Sequence, residues 1–340
     1  MPATLTDVAK RAGVALSTAS RAFSDPDRLG PATLRKILTV AQDLGYQPPA
    51  ARLVDPAADD DAVTVAVVVP DIGNPVFASF VKAAQAQGWY RRQTVVLADT
   101  DLNPDRERDV LSHLRDKVDG LIISSPRLDA EQILALCPRI PVVLVNRQTP
   151  GTDCVIADAT DGLRQTIDYL FALGHRRIAY VQGSQQSWSN DHRVGLVREL
   201  TAAAGIDLQV LGSQAETVAG GTAAAASVAA TGASAVIAHN DLMALGVMAG
   251  ARALGVRVPD DLSVVGIDDI PVAAITHPSL TSVAVPMARM GVAAMESLER
   301  NLSERQTPRL IRMPTQLVVR QSTGPIPAAP TTALSRGELA

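Results

Sequence analysis

The spacing of hydrophobic residues changes twice along the chain. Up to about residue 46, apolar residues recur only at helical spacing, whereas from Val63 short runs of Val, Ile and Leu alternate with helix-length segments. The stretch between them, QPPAARLVDPAADDDA, has no period and has the proline and aspartate content of a linker. This pattern predicts a helical unit over residues 1–47, a linker over 48–62, an α/β unit over 63–322 and a disordered tail over 323–340.

The N-terminal unit is predicted to contain three short helices. We expect Thr6 to cap the first helix and Gly13 to form the turn that follows it. The apolar face of this helix consists of Leu5, Val8, Ala9 and Ala12. The third helix begins near Pro31, a residue favoured at the first helical position. Its predicted buried residues are Leu34, Ile37, Leu38, Ala41 and Leu44.

The second helix, within GVALSTASRAF, has two unlike faces. One is an apolar stripe of Ala15, Ala19, Ala22 and Phe23, and the other carries Leu16, Ser17, Ser20 and Arg21. Two short helices joined by a turn and braced by a third form a helix-turn-helix. The first 52 residues carry seven basic and four acidic side chains in a chain of net charge −4, which favours contact with phosphates. The alternative is a small helical cap on an α/β enzyme.

The remainder of the chain predicts parallel sheets. Continuous Val and Ile runs indicate strands buried on both faces, and their alternation with helices indicates βαβ units. The runs begin at Val63, Thr94, Gly120, Pro141, Arg177, Ser234 and Leu262. They fall into two groups, residues 63–160 and 161–290, which predicts two similar α/β lobes. Residues 280–319, with a helix over Met287–Leu302, are expected to return and complete both lobes.

Composition narrows the classes of function. The chain has 340 residues, 47% of them hydrophobic, which is enough for two or three packed units. It has no apolar run behind a basic start and no long apolar span, which predicts a soluble cytoplasmic protein that does not bind membranes.

Cys137 and Cys154 are expected to be buried inert thiols, and no cofactor or metal is predicted. No nucleophile elbow, Walker loop or dinucleotide motif is present, so an enzyme is not predicted.

The amino-acid sequence resembles that of one protein family in particular. LTDVAKRAGVALSTASRAF followed by PATLRKILTVAQDLGYQP closely resembles the DNA-binding domain of the lactose-repressor (LacI/GalR) family of transcriptional regulators. VVVPDIGNPVF, VDGLIISSP, IPVVLVNR, LGHRRIAYVQG, HNDLMALGVM and VVGIDDI follow in the family's order. The resemblance implies an α/β protein with a helix-turn-helix domain, then a two-lobed domain like periplasmic binding proteins, with two parallel sheets. It further implies a homodimeric or higher-order repressor, acting at the bacterial nucleoid on a pseudo-palindromic operator.

The same resemblance assigns the contacts with DNA. Leu16 and Ser17 lie at the family's variable specificity positions, and Arg21 is the implied base-edge contact, for which guanine is the natural partner. The implied phosphate-positioning hydroxyls belong to Thr6, Thr18 and Ser20. In the linker, Leu53 or Val54 takes the place of a leucine that the family inserts into the minor groove. Pro49 and the following aspartates depart from the family pattern, and a flexible tether is the alternative.

The implied effector site lies beyond the carboxyl ends of the strands. The candidate residues are Asp71, Asn74, Phe77, Ser124, Asn146 and Arg147 in the first lobe and Trp188, Arg193, Asn240 and Asp268 in the second. By family analogy Arg193, Asn240 and Asp268 anchor hydrogen bonds in the second lobe, and Phe77 or Trp188 stacks on the ligand. Asn146 and Arg147 are the corresponding anchors in the first lobe. As structural alternatives, Asp241 and Asp269 cap helices or turns, and Arg193 pairs with a surface carboxylate.

The implied effector is a sugar, a polyol or a nucleoside-like molecule. Val76 and the stretch ETVAGG stand where many members of the family have aromatic residues, which favours a smaller ligand or another stacking geometry. Induction and corepression both remain open.

Overall fold

The computed structural model describes residues 4–24, 29–44, 63–303 and 307–326. The chain divides into two compact units, Met1–Ala62 and Val63–Ala340. The predicted hinge residues Leu53 and Val54 and most of the predicted tail lie outside the described residues.

The three predicted helices of the first unit are confirmed as α1 (Leu5–Ala12), α2 (Leu16–Ser24) and α3 (Pro31–Asp43). Gly13 ends α1 with a φ of 63°, in the left-handed region where glycine is least strained. The small core between the helices is formed by Val8, Ala12, Ala22, Ile37 and Ala41.

Three details of this unit differ from the sequence predictions. Thr4, not Thr6, caps α1, because Thr4 Oγ1 accepts a hydrogen bond from the backbone N–H of Asp7 while the Asp7 carboxylate accepts one from that of Thr4. Ala15 is exposed and precedes α2, where its carbonyl accepts the first helical hydrogen bonds. Leu38 is exposed, since it lies about 100° around α3 from the buried Ile37.

The second unit alternates strands and helices. Its first part comprises β1 (Thr64–Val69), α4 (Pro75–Tyr90), β2 (Thr94–Asp99), α5 (Pro104–Leu114), β3 (Gly120–Ser124), α6 (Ala130–Leu136), β4 (Val142–Val145) and β5 (Asp153–Asp158). Its second part comprises α7 (Thr160–Ala172), β6 (Arg177–Val181), α8 (Trp188–Ala204), β7 (Asp207–Leu211), α9 (Val218–Ala230), β8 (Ala235–Ala238), α10 (Asp241–Ala253), β9 (Ser263–Asp268) and β10 (Thr281–Ala284). The chain then forms α11 (Met287–Ser303), β11 (Leu310–Pro314) and β12 (Gln316–Val318).

Two six-stranded sheets confirm the predicted α/β architecture. The sheet of lobe 1 has the strand order β11-β5-β4-β3-β1-β2, and that of lobe 2 has the order β12-β10-β9-β8-β6-β7. All neighbours are parallel except β12, which is antiparallel to β10. The chain crosses between the lobes three times: after β5, after β10 and between β11 and β12. Residues 280–319 therefore return to both lobes, as the sequence predicted.

Two strands escaped the sequence analysis and one was misjudged. β5 has the sequence DCVIAD, a short apolar run between two aspartates, and β7 has the sequence DLQVL, in which a glutamine interrupts the apolar pattern. β2 pairs only with β1, so it is an edge strand and Val96 and Leu97 are exposed instead of buried.

The packing of α9 on α10 depends on glycines. A Cβ added at Gly246 would overlap the carbonyl oxygen of Val218, and one added at Gly221 would overlap the carbonyl oxygen of Met243. The two helix backbones therefore approach more closely than any larger residue allows. Gly195 in α8, by contrast, has open space where a Cβ would stand.

Asp241 and Asp269 do not act as the caps suggested by the sequence. Asn240 caps α10 through its side-chain oxygen, 2.8 Å from the N–H of Met243. The buried Asp241 carboxylate instead accepts hydrogen bonds from the N–H of Ile270 at 2.8 Å and the hydroxyl of Ser282 at 2.6 Å. Asp269 pairs with Arg320.

The glycine contacts give a matched pair of stability predictions. Gly246→Ala should lower the free energy of unfolding by about 1–3 kcal/mol, because α10 must move away from α9. Gly195→Ala should raise it by roughly 0.5–1 kcal/mol, because alanine favours the helix and meets no neighbour. Urea unfolding of the two variants measures both values, and equal effects would contradict this account of the packing.

The burial of Asp241 gives a pH prediction. Burial raises the pKa of Asp241 to about 6, from an ordinary value of 3.8. Between these values the folded protein keeps the proton that the unfolded chain releases, so this group makes unfolding easier as the pH rises. The resulting loss in the free energy of unfolding is on the order of 3 kcal/mol. Asp241→Asn does not undergo this loss, because asparagine does not titrate.

Urea unfolding at pH 4 and pH 7 should therefore show Asp241→Asn gaining stability relative to the unsubstituted protein as the pH rises. Asp261→Asn is the control, because Asp261 is exposed and Arg257 lowers its pKa to about 2, outside this interval. A stability difference between Asp241→Asn and the unsubstituted protein that is the same at both pH values would refute the prediction.

Candidate functional site

A cavity of about 40 Å³ lies between the two lobes, at the carboxyl ends of the strands. Its lining is mostly polar, with an apolar wall contributed by α4 and by the crossing before α11. The lining residues are Asn74, Val76, Phe77, Ser125, Arg127, Asn146, Ser187, Ser189, Arg193, Glu216, His239, Asn240, Asp268, Val285 and Met287. The volume is far below the roughly 300–1,000 Å³ of typical ligand pockets, so the cleft is closed.

Six of the ten predicted effector residues line this cavity: Asn74, Phe77, Asn146, Arg193, Asn240 and Asp268. Helix ends and strand ends hold several of them in place. Asn74 caps α4, with its side-chain oxygen 3.2 Å from the N–H of Val76. Asn146 accepts a hydrogen bond from the N–H of Ala157 at 3.0 Å and donates one to the Ser125 hydroxyl at 3.3 Å.

The other four predicted residues lie outside the cavity lining. Asp71 accepts a hydrogen bond from the N–H of Gly73 in its own loop, and Ser124 is buried within β3. Arg147 bonds to Asp129 and to the carbonyl of Gln186. Trp188, the candidate stacking residue, stacks on His192 at 5.1 Å and packs against the core of lobe 1.

Arg193 and Asp268 form a buried pair at the back of the cavity. Arg193 Nη2 lies 3.7 Å from Asp268 Oδ1, and Arg193 Nη1 donates to the carbonyl of His239 at 2.7 Å. Burial raises the pKa of Asp268 well above its ordinary value, although the guanidinium opposes this. The sequence alternative of a surface pair for Arg193 is therefore wrong: its partner is buried beside it.

Three charged or titratable residues of the cavity were not predicted from the sequence: Arg127, Glu216 and His239. His239 directly precedes Asn240, and Arg127 follows the end of β3, so position at a strand end would have identified both. Glu216 belongs to ETVAGG, a stretch that the sequence analysis singled out only for lacking an aromatic residue.

Glu216 is the centre of this second charge cluster. Its Oε2 lies 2.6 Å from Arg127 Nη2, and its Oε1 accepts a hydrogen bond from the N–H of Ser184 at 3.1 Å. Burial alone would raise the pKa of Glu216, but the Arg127 guanidinium and the hydrogen bond from the Ser184 N–H oppose it, and that pKa is lowered. Burial lowers the pKa of His239 to about 3, so its imidazole is neutral at pH 7.

The backbone is strained at three strand ends around the cavity. Ser125, Asn146 and Asp268 have φ values of 47°, 53° and 123°. Residues other than glycine rarely adopt such values, and those that do cluster at ligand-binding positions. These three residues follow β3, follow β4 and end β9, and all three line the cavity.

The first turn of α2 exposes two of the residues that the sequence assigned to DNA. Leu16 is 51% exposed, Ser17 is exposed and Thr18 is half-buried. Ser20 and Arg21 belong to the same helix, one turn further along. Thr6 is exposed in the first turn of α1.

Other kinds of site find no support in the residues described. Burial raises the pKa of the Cys137 thiol to about 11, and both Cys137 and Cys154 are free and buried, as predicted. Across residues 4–24, 29–44, 63–303 and 307–326 no group of His, Cys, Asp and Glu side chains could hold a metal ion. No helix within these same ranges is long and apolar enough to cross a membrane.

Two family models match the chain. Residues 4–49 match the model described as bacterial regulatory proteins of the lacI family, and residues 167–323 match the periplasmic binding protein-like domain. The first match covers the three helices and the second covers most of lobe 2.

Characterised proteins agree with these matches. Catabolite control protein A of Priestia megaterium is 30% identical over 95% of this chain and 100% of its own length. A complex of the transcriptional regulator CelR with cellobiose is 30% identical, with a TM-score of 0.69 over 94% of this chain and 99% of that one.

The lac repressor dimer bound to operator and the anti-inducer ONPF is 25% identical, with a TM-score of 0.72 over 95% of this chain and 100% of that one. These relatives are regulators of transcription and not enzymes. The helix-turn-helix, the two-lobed fold and these identities along nearly the whole length show that the chain belongs to the LacI family of bacterial regulatory proteins.

Proposed function

We propose that this protein is a homodimeric transcriptional repressor whose affinity for operator DNA is controlled by a small sugar-like effector in the cavity between the lobes. The observation that carries the proposal is this polar cavity, in a chain that also has a helix-turn-helix. In this proposal residues 1–47 bind DNA, residues 48–62 form the hinge and residues 63–322 bind the effector and dimerise.

The chemistry of the cavity supports a polyhydroxylated effector. Carboxylates, amides and guanidinium groups form the planar hydrogen-bonding pairs that suit neighbouring hydroxyls, and Arg193, Asn240 and Asp268 supply all three. Phe77, on the opposite lobe, offers an apolar surface for the C–H face of a sugar ring. The complex of CelR with cellobiose is an example of such a ligand in a relative. The closed cleft has to open before a sugar can enter.

The proposed operator contacts lie on α2. Arg21 reads a base edge in the major groove, with Leu16 and Ser17 beside it, and Thr6, Thr18 and Ser20 position the phosphates. Leu53 or Val54 is proposed to enter the minor groove.

An exposed apolar patch on lobe 1 supports dimerisation. Trp89 and Tyr90, at the end of α4, are 67% and 77% exposed, and Val96 and Leu97 are exposed on the adjacent edge strand β2. Exposed patches of large apolar side chains mark protein interfaces. We propose that a second copy of the chain covers this patch, because a two-fold dimer matches a pseudo-palindromic operator.

The proposed regulation is a linkage between two binding sites. Effector in the cavity changes the relative position of the lobes, and this change alters the affinity of the paired DNA-binding units for the operator. Linkage requires operator DNA to change effector affinity by the same factor.

Arg21→Ala tests the DNA-binding role. The variant should bind the specific operator about 1–3 kcal/mol more weakly, because it loses two hydrogen bonds to a base edge. Mobility-shift titrations at fixed salt, with operator DNA selected from random duplexes by the unsubstituted protein, measure this loss. Arg257→Ala, which removes an exposed arginine of lobe 2, is the control. Equal operator affinity of Arg21→Ala and the unsubstituted protein would exclude the proposed contact.

A thermal-shift screen tests the effector class. Pentoses, hexoses, cellobiose, polyols and nucleosides serve as probes, and a sugar at 100 times its Kd should stabilise the folded protein by about 2.7 kcal/mol. Arg193→Met should abolish the shift, whereas Asp71→Asn should retain it because Asp71 lies outside the cavity. A sugar that stabilises Arg193→Met as strongly as the unsubstituted protein does not bind in this cavity.

A further inference from the structure

We propose that the ion pair between Arg127 and Glu216 is a clasp that holds the two lobes closed before effector binds, and that an effector enters only when the clasp opens. This inference rests on the proposed function in placing the effector in the cavity. The closed state itself depends only on contacts within the chain.

Arg127 is fixed to lobe 1. It follows β3, and its backbone N–H donates to Glu107 Oε2 at 2.7 Å, which ties it to α5. Its Nη1 lies 3.5 Å from the carbonyl oxygen of Ser125. Its side chain is 1% exposed. The guanidinium is therefore held at the cleft and removed from water.

Glu216 is fixed to lobe 2. It lies between β7 and α9, where its carboxylate accepts a hydrogen bond from the N–H of Ser184 and its carbonyl accepts one from Asn240 Nδ2 at 3.2 Å. Its side chain is 10% exposed. Because both partners are already positioned by their own lobes, little conformational entropy is lost when they meet.

The two charges of this pair belong to different lobes. Among the ion pairs formed within residues 63–303 and 307–326, it alone has one member in each lobe. Two further contacts close the same cleft: Arg147 Nη2 lies 3.4 Å from the carbonyl oxygen of Gln186, and Trp188 of lobe 2 packs against the core of lobe 1.

Removing one partner should shift the lobes toward an open state. With Arg127 replaced, the Glu216 carboxylate would be buried beside a neutral His239. Burying an unpaired carboxylate costs free energy, and opening of the cleft removes this cost because water then reaches the carboxylate. The closed state then loses roughly 200- to 5,000-fold in population relative to the open one, by the usual cost of leaving one member of a buried pair unpaired.

Trp188 provides a readout that needs neither effector nor DNA. The chain has two tryptophans, and Trp89→Phe leaves Trp188 as the single reporter. In the effector-free Trp89→Phe protein we expect blue-shifted emission and slow quenching by acrylamide, because Trp188 packs on lobe 1. Adding Arg127→Met should shift the emission to the red and raise the quenching rate.

Two further variants make the test decisive. Arg257→Met makes the same substitution in an exposed pair within lobe 2, and it should leave emission and quenching unchanged. Glu216→Gln keeps the shape of the carboxylate but removes its charge, so it should also open the cleft. If Arg127→Met does not melt cooperatively, Glu216→Gln replaces it as the test variant.

Emission and quenching that stay unchanged in folded Arg127→Met, or in folded Glu216→Gln if that variant is used alone, would overturn the proposal. Changes in emission and quenching that are as large in Arg257→Met as in Arg127→Met would also overturn the proposal. A thermal-shift screen in which no probe binds would instead count against the proposed effector class and leave the fluorescence result intact.

Discussion

A charge that is buried must be paired, and this constraint organises the cavity between the lobes. The parallel strands end at the cleft, and the strand ends, together with the loops and the helix that follow them, bring arginines and carboxylates into a space with little water. Two guanidinium–carboxylate pairs result, one within lobe 2 and one between the lobes. The positions of Asn146, Asn240 and the strained strand ends follow from the need to satisfy the remaining donors and acceptors.

The two ion pairs respond differently when the cleft opens. Arg193 and Asp268 move together, because both belong to lobe 2, so their pair persists whatever the cleft does. Arg127 and Glu216 belong to different lobes, so their pair exists only when the cleft is closed. A ligand that enters the cavity therefore meets one fixed set of hydrogen-bonding groups and one set that depends on lobe position, which is the arrangement that allosteric linkage requires.

The amino-acid sequence was sufficient to predict most of the architecture. Apolar runs such as TVAVVV predict strands because both faces of a central parallel strand are buried, whereas the edge strand β2 misleads because its apolar residues face outward. β7 was missed because polar residues interrupt its apolar pattern, and β5 was missed because its apolar run has only four residues and stands between two aspartates.

For the cavity, residue type and strand position identified six lining residues. They could not identify Glu216, because its role comes from an arginine 89 residues earlier in the chain. Trp188 shows the opposite error: its residue type suits a ligand, but its place at the start of α8 directs it onto the other lobe.

The three crossings between the lobes have a consequence for synthesis on the ribosome. Lobe 1 lacks α11 and its edge strand β11 until residue 314 has left the exit tunnel, and lobe 2 waits for β12 immediately after it. The nascent chain must therefore carry the sheet of lobe 1 with an unpaired strand edge until β11 emerges, and that of lobe 2 until β12 emerges. The three-helix unit is complete after about 44 residues. It can fold long before either lobe, so in a growing polypeptide the part that contacts DNA is finished first.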